Sequence, residues 1–346
     1  MMAAVTLPFP GFLLKEPKKK LGVALVGLGG YSTHQLAPAL QQTEFCELRG
    51  IVTGSPEKIP QWQKKYGIKD RNVYNYENMY RIADNDEIDV IYIVLPNSLH
   101  AKYAIIAANA GKHVWCEKPM AMNTEECRQM ISACNRNNVK LAIGYRLQHE
   151  PNNRKMMEWA RTKPFGAIQD LKAAAGFYGS SLGWRLEKEM GGGAMYDMGV
   201  YALNAARYAT GMEPIAVSAT HKTNRPEMFS EVDEFTYFTL EFPEELKADC
   251  ATSFGENMNS LEVNCRDGWY YLKPYQTYSG VKGKASNGKI LEPFRKNQQA
   301  VQMDDDALSI LNNEPMIAPG EEGLKDIAIL EKIYASAARD GKRLSL

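Results

Sequence analysis

The sequence predicts an α/β chain in which an N-terminal doubly wound parallel sheet is followed by an α+β domain with a large open, mostly antiparallel sheet. Three observations carry this. Apolar runs alternate with helix-patterned stretches over residues 21–145, β-patterned runs then follow one another with few helices between them, and glycines cluster between the first strand and the first helix.

In the first element, Leu21, Val23, Leu25 and Val26 read as a strand buried on both faces. Gly27, Gly29 and Ser32 follow at the spacing of a G-x-G-x-x-G/A dinucleotide-binding turn of the Rossmann type, with serine in the third place. Gly27 allows the tight turn, Gly29 admits a pyrophosphate close to the backbone, and a small third residue lets the helix pack on the strand. The phosphates belong at the N-terminus of the helix predicted over 31–40, where unpaired N–H groups and the helix dipole favour an anion. Gly27, Leu28, Gly29, Gly30, Tyr31 and Ser32 are therefore candidate cofactor contacts. The alternative is a plain structural turn.

The strand at 47–53 completes a βαβ unit. Helix patterns at 56–66 and 76–83, the apolar run 90–95, a helix at 101–110, a strand at 113–116, a helix at 123–135 and a strand at 140–144 continue the alternation. Ligands of such sheets bind at the C-terminal ends of the strands. Those ends carry 27–32, 53–55, 96–97, 117–119 and 145–146.

After the second strand the chain reads Thr53-Gly54-Ser55-Pro56-Glu57-Lys58, with no acid in the place that usually accepts from a ribose 2′-OH. Small hydroxyl residues and Lys58 suit a 2′-phosphate, so NADP is expected over NAD. Glu57 keeps the other choice open.

Beyond Tyr145 a helix at 151–161 leads into β runs at 168–178, 215–220, 232–242, 246–254, 261–265 and 269–272. Helices at 193–208, 297–312 and 321–339 interrupt and close this sheet, and 279–288 reads as a loop. An open sheet leaves one face bare, which predicts a homodimer or homotetramer. The division expected is an extended arm at 1–20, a Rossmann domain at 21–143 and a substrate-binding and oligomerisation domain at 144–346.

With 41 Lys+Arg against 41 Asp+Glu, nothing in the charge calls for nucleic acid or an anionic membrane. No apolar run has the length that spans a bilayer. The six cysteines include no C-x-x-C, and the five histidines no metal-ligand spacing. A reducing compartment, the cytoplasm, is the expectation, with the periplasm open should a leader precede this numbering. Residues 1–20 lack the order of a secretory signal, and Pro8, Pro10 and Pro17 disfavour a helix there.

Chemistry points to the run Gly191–Tyr201, GGGAMYDMGVY, where three glycines open a helix with Asp197 and Tyr201 on one face. Lys118, at the sheet edge, is placed to meet them. Removing hydride from a carbinol requires a group to take the hydroxyl proton, and a phenol does so once a cation stabilises its anion. The alternative is an ion pair between Lys118 and Asp197 with Tyr201 packed at an interface.

Glu117-Lys118-Pro119, the PNSLH of Pro96–His100, Gly144-Tyr145-Arg146, the WRL of Trp184–Leu186, the glycine-rich run with Asp197 and Tyr201, and Pro319-Gly320-Glu321-Glu322-Gly323 together resemble the Gfo/Idh/MocA oxidoreductases, and more narrowly their glucose-fructose oxidoreductase branch. The likeness extends over nearly the whole chain from Leu21. It implies a catalytic Lys118 next to a cis peptide, and proton transfer by Tyr201, where the family commonly has histidine, helped by Lys118 and Asp197. It also implies tightly held NADP, with Leu95, Pro96, Asn97, His100, Glu117, Arg146, Trp184 and Arg185 beside the cofactor or sugar. In that branch an aldose is oxidised at C1 to its lactone and a second sugar, a ketose or aldose, is reduced to a polyol by ping-pong turnover. An N-terminal arm covering a neighbour's cofactor is a further implication. His149 and Tyr278 are lesser pocket candidates. An aldose dehydrogenase that exchanges NAD(P), a nucleotide-dependent glycoside hydrolase and a non-catalytic nucleotide sensor are the other readings, and residues 173–183 leave both sugars open.

Overall fold

The computed structural model describes residues 20–346, so the arm expected at the N-terminus lies outside the described residues but for Lys20. The strand β1 (Leu21–Val26) is buried at every position, as a run apolar on both faces must be. Beside it lie β2 (Cys46–Val52), β3 (Val73–Tyr74), β4 (Val90–Ile93), β5 (His113–Cys116) and β6 (Leu141–Ile143) in the parallel order β3-β2-β1-β4-β5-β6. Val26 is in register with both Val52 and Ile93, which brings the chain ends after β1, β2 and β4 to one edge. The order reverses between β1 and β4, and that crevice is where ligands enter such sheets.

The crossover helices include α1 (Ala37–Ala39), α2 (Ile59–Tyr66), α3 (His100–Asn109) and α4 (Thr124–Arg136). The Asn123 side chain caps α4 by accepting from the Glu126 N–H at 2.9 Å, with Glu125 and Glu126 in the first turn. The helix expected at 31–40 is wound differently. Gly30 and Tyr31 open it in α-helical form, Ser32–Leu36 widen into a π-type turn, and Ala37–Ala39 return to the α-helix before the chain turns away.

After α5 (Pro151–Thr162) the chain builds the second sheet from β7 (Ile168–Gly176), β8 (Ala216–Lys222), β9 (Phe235–Glu241), β10 (Lys247–Ser253), β11 (Met258–Cys265), β12 (Gly268–Leu272), β13 (Gly283–Ala285), β14 (Ile290–Leu291) and β15 (Leu344–Ser345). Their order is β14-β13-β12-β11-β7-β10-β9-β8-β15, antiparallel except where β7 meets β10. Alternation sets the inner face. Leu171, Ala173, Val217, Phe238, Leu240, Cys250, Leu261 and Val263 pack in one core with Leu203, Ala206, Leu330 and Ile333 of the helices α6 (Val200–Thr210) and α8 (Gly320–Ala337). The other face leaves Tyr237 and Trp269 about two-fifths exposed.

The structure departs from the sequence pattern at two places. The stretch at 279–288 that reads as a loop contains β13, and β14 and β15 leave no trace in the sequence pattern, because strands of two or three residues are too short to alternate. The helix α7 (Gln298–Leu311), expected to close the large sheet, instead buries Ala300, Met303 and Ala307 against Leu21, Val23, Ile51, Tyr92 and Trp115 of the parallel sheet. Its periodicity shows which stripe is apolar but not which sheet receives it.

Candidate active site

Gly27 has φ +92°, and a Cβ there would stand 2.3 Å from the Val94 carbonyl oxygen, so only glycine fits. A Cβ on Gly29 or Gly30 meets nothing within 4 Å, which leaves an open cradle over the turn where a pyrophosphate has room. Ser32 at the third place has a physical reason. Its buried hydroxyl donates to the Gly27 carbonyl at 2.6 Å and closes the turn from inside. Leu28 is buried beneath the turn.

At the end of β2 the Thr53 hydroxyl accepts from the Ser55 N–H at 3.0 Å, and Gly54 lies against the Tyr76 ring. Lys58 reaches back so that Nζ donates to the Leu28 carbonyl at 3.1 Å, which puts an ammonium on the rim of the glycine turn. Glu57 is exposed. The residues present thus fit a dinucleotide, with hydroxyl groups and an ammonium beside the turn.

Beyond β4, the chain Leu95-Pro96-Asn97 meets the second part of the molecule. The Asn97 amide donates to the Gly191 carbonyl at 2.7 Å, so it ties the sheet edge to the glycine-rich run. The buried His100 ring has one nitrogen 2.9 Å from the Leu95 carbonyl and the other 2.8 Å from that of Pro119, and burial lowers its pKa below the ordinary value. It braces the turn that carries Lys118, whose peptide to Pro119 is cis. Glu117 is turned inward. It accepts from the Tyr92 hydroxyl at 2.7 Å and lies against Gly144, and burial raises its pKa.

The glycine-rich run is shaped by close approach. Gly193 has φ +105°, and a Cβ there would stand 2.3 Å from Asp233 Oδ1. Asp233 accepts from the Met195 N–H at 2.8 Å, the Tyr334 hydroxyl at 2.6 Å and the Thr236 hydroxyl at 2.7 Å, and so anchors the helix start. Nothing near residue 195 in the sequence signals this partner, which comes from a strand connection 38 residues on. The regular helix expected from Gly193 begins instead with a π-type turn, Met195–Gly199, that runs into α6.

In that turn Lys118 Nζ lies 2.6 Å from the Asp197 backbone carbonyl and 3.2 Å from its Oδ1, while Arg185 Nε lies 2.7 Å from Oδ2. Burial opposes the charge on Asp197, but Lys118 and Arg185 outweigh it and hold the carboxyl below its ordinary pKa. Burial opposes the charge on Lys118 as well, and Tyr201 and Asp197 overcome it, so its pKa is raised. The ammonium stands 4.6 Å from the centroid of the half-buried Tyr201 ring. Arg146 reaches the same ring from β6, with Cζ 5.4 Å from its centroid and 5.0 Å from that of Tyr278. Tyr31 and Tyr278 pack at 5.9 Å, and Trp184 lies against the Arg185 guanidinium at 4.9 Å.

Lys118, Asp197, Tyr201, Arg185, Arg146 and Tyr31 therefore converge beside the glycine turn. Tyr278, weakly marked in the sequence, belongs with them. His149 does not: its Nδ1 is 2.8 Å from Asp305 on α7. Among the described residues no helix is long and apolar enough to cross a membrane.

The family model described as "Oxidoreductase family, NAD-binding Rossmann fold" matches residues 21–145, and the GFO/IDH/MocA C-terminal domain matches 153–271. Crystallographic aldose-aldose oxidoreductase from Caulobacter crescentus, in complex with glycerol, superposes with a TM-score of 0.91 at 38% identity over 94% of this chain and 100% of that one. D-xylose 1-dehydrogenase [NADP(+)] of Haloarcula marismortui is 28% identical over 331 residues, 91% of this chain and 90% of its own. Levoglucosan dehydrogenase of Pseudarthrobacter phenanthrenivorans is 30% identical over 226 residues, 60% of this chain and 56% of its own. With both halves of the fold and the long matches in agreement, the chain belongs to the Gfo/Idh/MocA family of oxidoreductases with an NAD-binding Rossmann fold.

Proposed function

We propose that the chain is an NADP-dependent sugar oxidoreductase that oxidises an aldose at C1 to its lactone and reduces a second sugar to a polyol. The observation that carries this reading is the Lys118–Asp197–Arg185 cluster set against the Tyr201 ring beside the open glycine cradle. Similarity to an aldose-aldose oxidoreductase and to an NADP-dependent xylose dehydrogenase supports the substrate class.

The glycine turn holds the pyrophosphate, and Thr53, Ser55 and Lys58 hold the ribose phosphate. Bound there, NADP supplies the acceptor for the C1 hydride and, once reduced, the donor for the second sugar. Tyr201 takes the proton of the C1 hydroxyl as its O–H bond breaks and the C1=O bond forms. In the return half it gives the same proton to the new hydroxyl of the second sugar. Lys118 stabilises the phenolate between the two halves, and Asp197 fixes the ammonium from two sides. Asn97 and His100 set the spacing between the sheet edge and this cluster.

A cofactor retained through both halves gives ping-pong turnover. The similarity to a dehydrogenase supports a second reading, in which NADP exchanges after each oxidation. Initial rates with both sugars varied distinguish them. Parallel double-reciprocal lines without added nucleotide fit the first, and absolute dependence on added NADP fits the second. The bare outer face of the large sheet, with Tyr237 and Trp269, supports a homodimer or homotetramer built through it. Six buried, unpaired thiols support a reducing compartment such as the cytoplasm.

A further inference from the structure

We propose that Arg146 is the second cation of the site, a positioning residue that stabilises the ionised form of Tyr201. The assignment rests on Tyr201 as the proton carrier and extends it to a residue first placed beside the cofactor.

The charge inventory leads there. Lys118 is not a free positive charge, because the Asp197 carboxylate answers it and is itself shared with Arg185. Arg146 is different. It is 2% exposed, yet its hydrogen bonds reach only neutral acceptors: Nη1 donates to the Thr277 carbonyl at 2.8 Å and to Gln298 Oε1 at 2.5 Å, and Nη2 to Gln276 Oε1 at 3.4 Å. Its Nε has no acceptor, and no carboxylate among the described residues lies within ion-pair distance; the nearest acids that feel its charge, Glu117 and Glu150, both have pKa values raised by burial. A buried cation that no carboxylate pairs directly is costly, and a fold that builds one has a use for it.

The anion that answers it arises during turnover. Arg146 Cζ lies 5.4 Å from the centroid of the Tyr201 ring, within hydrogen-bonding reach of the phenol. Burial works against the guanidinium charge, and the phenols of Tyr201, Tyr31 and Tyr278 more than offset it, so its pKa stands above the ordinary value. Two other elements hold the side chain in place, and a third supports one of them. Gln298 comes from the first turn of α7, and the segment with Gln276 and Thr277 is pinned by Asn259 of β11, whose Oδ1 accepts from the N–H groups of Tyr275 and Gln276 at 2.9 and 3.0 Å. Such convergence on one guanidinium fits a group whose position is used. The groups facing Tyr201 are Lys118 after β5, Arg146 after β6, Tyr31 after β1, and Tyr275 and Tyr278 before β13. Only the first two are cations.

The test is a titration of the purified protein followed by phenolate absorbance. The step that disappears in Tyr201→Phe reports Tyr201. In Arg146→Gln that step moves to higher pH by about one unit or more, the size expected for one charge at this distance in a partly polar site, and the acidic limb of aldose oxidation moves with it. In Arg146→Lys, which keeps the charge without the fork, the step stays within about half a unit of the parent. A folded Arg146→Gln protein with an unmoved step overturns the proposal. If the glutamine variant does not fold, a folded Arg146→Lys protein whose step moves up by a unit or more overturns it instead. Survival of turnover in Tyr201→Phe defeats the reading of Tyr201 as proton carrier, and the titration still reports whether Arg146 and Tyr201 are coupled.

Discussion

Lys118 and Asp197 meet twice, once at the backbone carbonyl, 2.6 Å from Nζ, and once at the carboxylate, 3.2 Å away. The first contact fixes the ammonium to the π-type turn whatever the charge on the side chain, and the second neutralises it. Lys118→Met removes both, leaving Asp197 to Arg185 alone. Sugar oxidation then falls by about two to four orders of magnitude, as for loss of a group that supports proton transfer. Tyr201→Phe falls at least as far while dinucleotide binding, read by tryptophan fluorescence, is kept. Equal turnover in Tyr201→Phe and the parent would remove the proposed proton carrier.

The glycine turn gives a contrast within four residues. Gly27→Ala forces a side chain to φ +92° and onto the Val94 carbonyl, so it destabilises the fold by roughly 1–3 kcal/mol and abolishes dinucleotide binding. Gly29→Ala meets no protein atom and leaves the melting temperature near that of the parent, but its methyl group stands in the cradle and weakens the dinucleotide by about tenfold or more. Calorimetric melting and a binding titration on both variants separate the two effects. Equal affinity of Gly29→Ala and the parent would move the pyrophosphate elsewhere.

Lys58 makes one hydrogen bond, to the Leu28 carbonyl, that a methyl group can lose at small cost. Lys58→Ala is therefore expected to weaken NADP by about tenfold and to leave NAD unchanged, since only the 2′-phosphate needs the charge. Ratios of binding constants for the two nucleotides check this.

Asp306 on α7 gives a pH prediction away from the site. It is fully buried, and burial, softened by His149, raises its pKa to about 6. A raised carboxyl leaves stability intact below its unfolded value near 4 and costs stability as the pH rises through about 6, because the folded state holds the proton longer than the unfolded chain. Asp306→Asn removes that cost. It is expected to stabilise the protein by up to about 3 kcal/mol at neutral pH and to change little at pH values near 4, where the parent is protonated. Denaturant melts at the two pH values test it, and equal effects at both would contradict the assignment.

What the sequence reveals and what it hides divides along physical lines. The alternation that marks the parallel sheet is local, so β1, β4 and β5 and the residues at their ends are legible from short windows. Lys118, Asp197 and Tyr201 stand out for the same reason, as reactive residue types next to glycine and proline. Long-range partners leave no such trace. Asp233 under the start of the glycine-rich helix, the Gln276 and Gln298 amides on Arg146, and the docking of α7 on the first sheet depend on pairings across tens to hundreds of residues. The π-type turns at Ser32–Leu36 and Met195–Gly199 are invisible to a pattern of period 3.6, and the second sets how Lys118 reaches the Asp197 carbonyl.

A self-contained cycle on one retained NADP can be followed in the near-ultraviolet absorbance of the purified protein with no nucleotide added. The expected result is a bound dinucleotide whose reduced-nicotinamide band rises when an aldose such as glucose is added and falls again with fructose or a second aldose. Protein that arrives without nucleotide, and shows the band only when NADP or NAD is supplied, would contradict it.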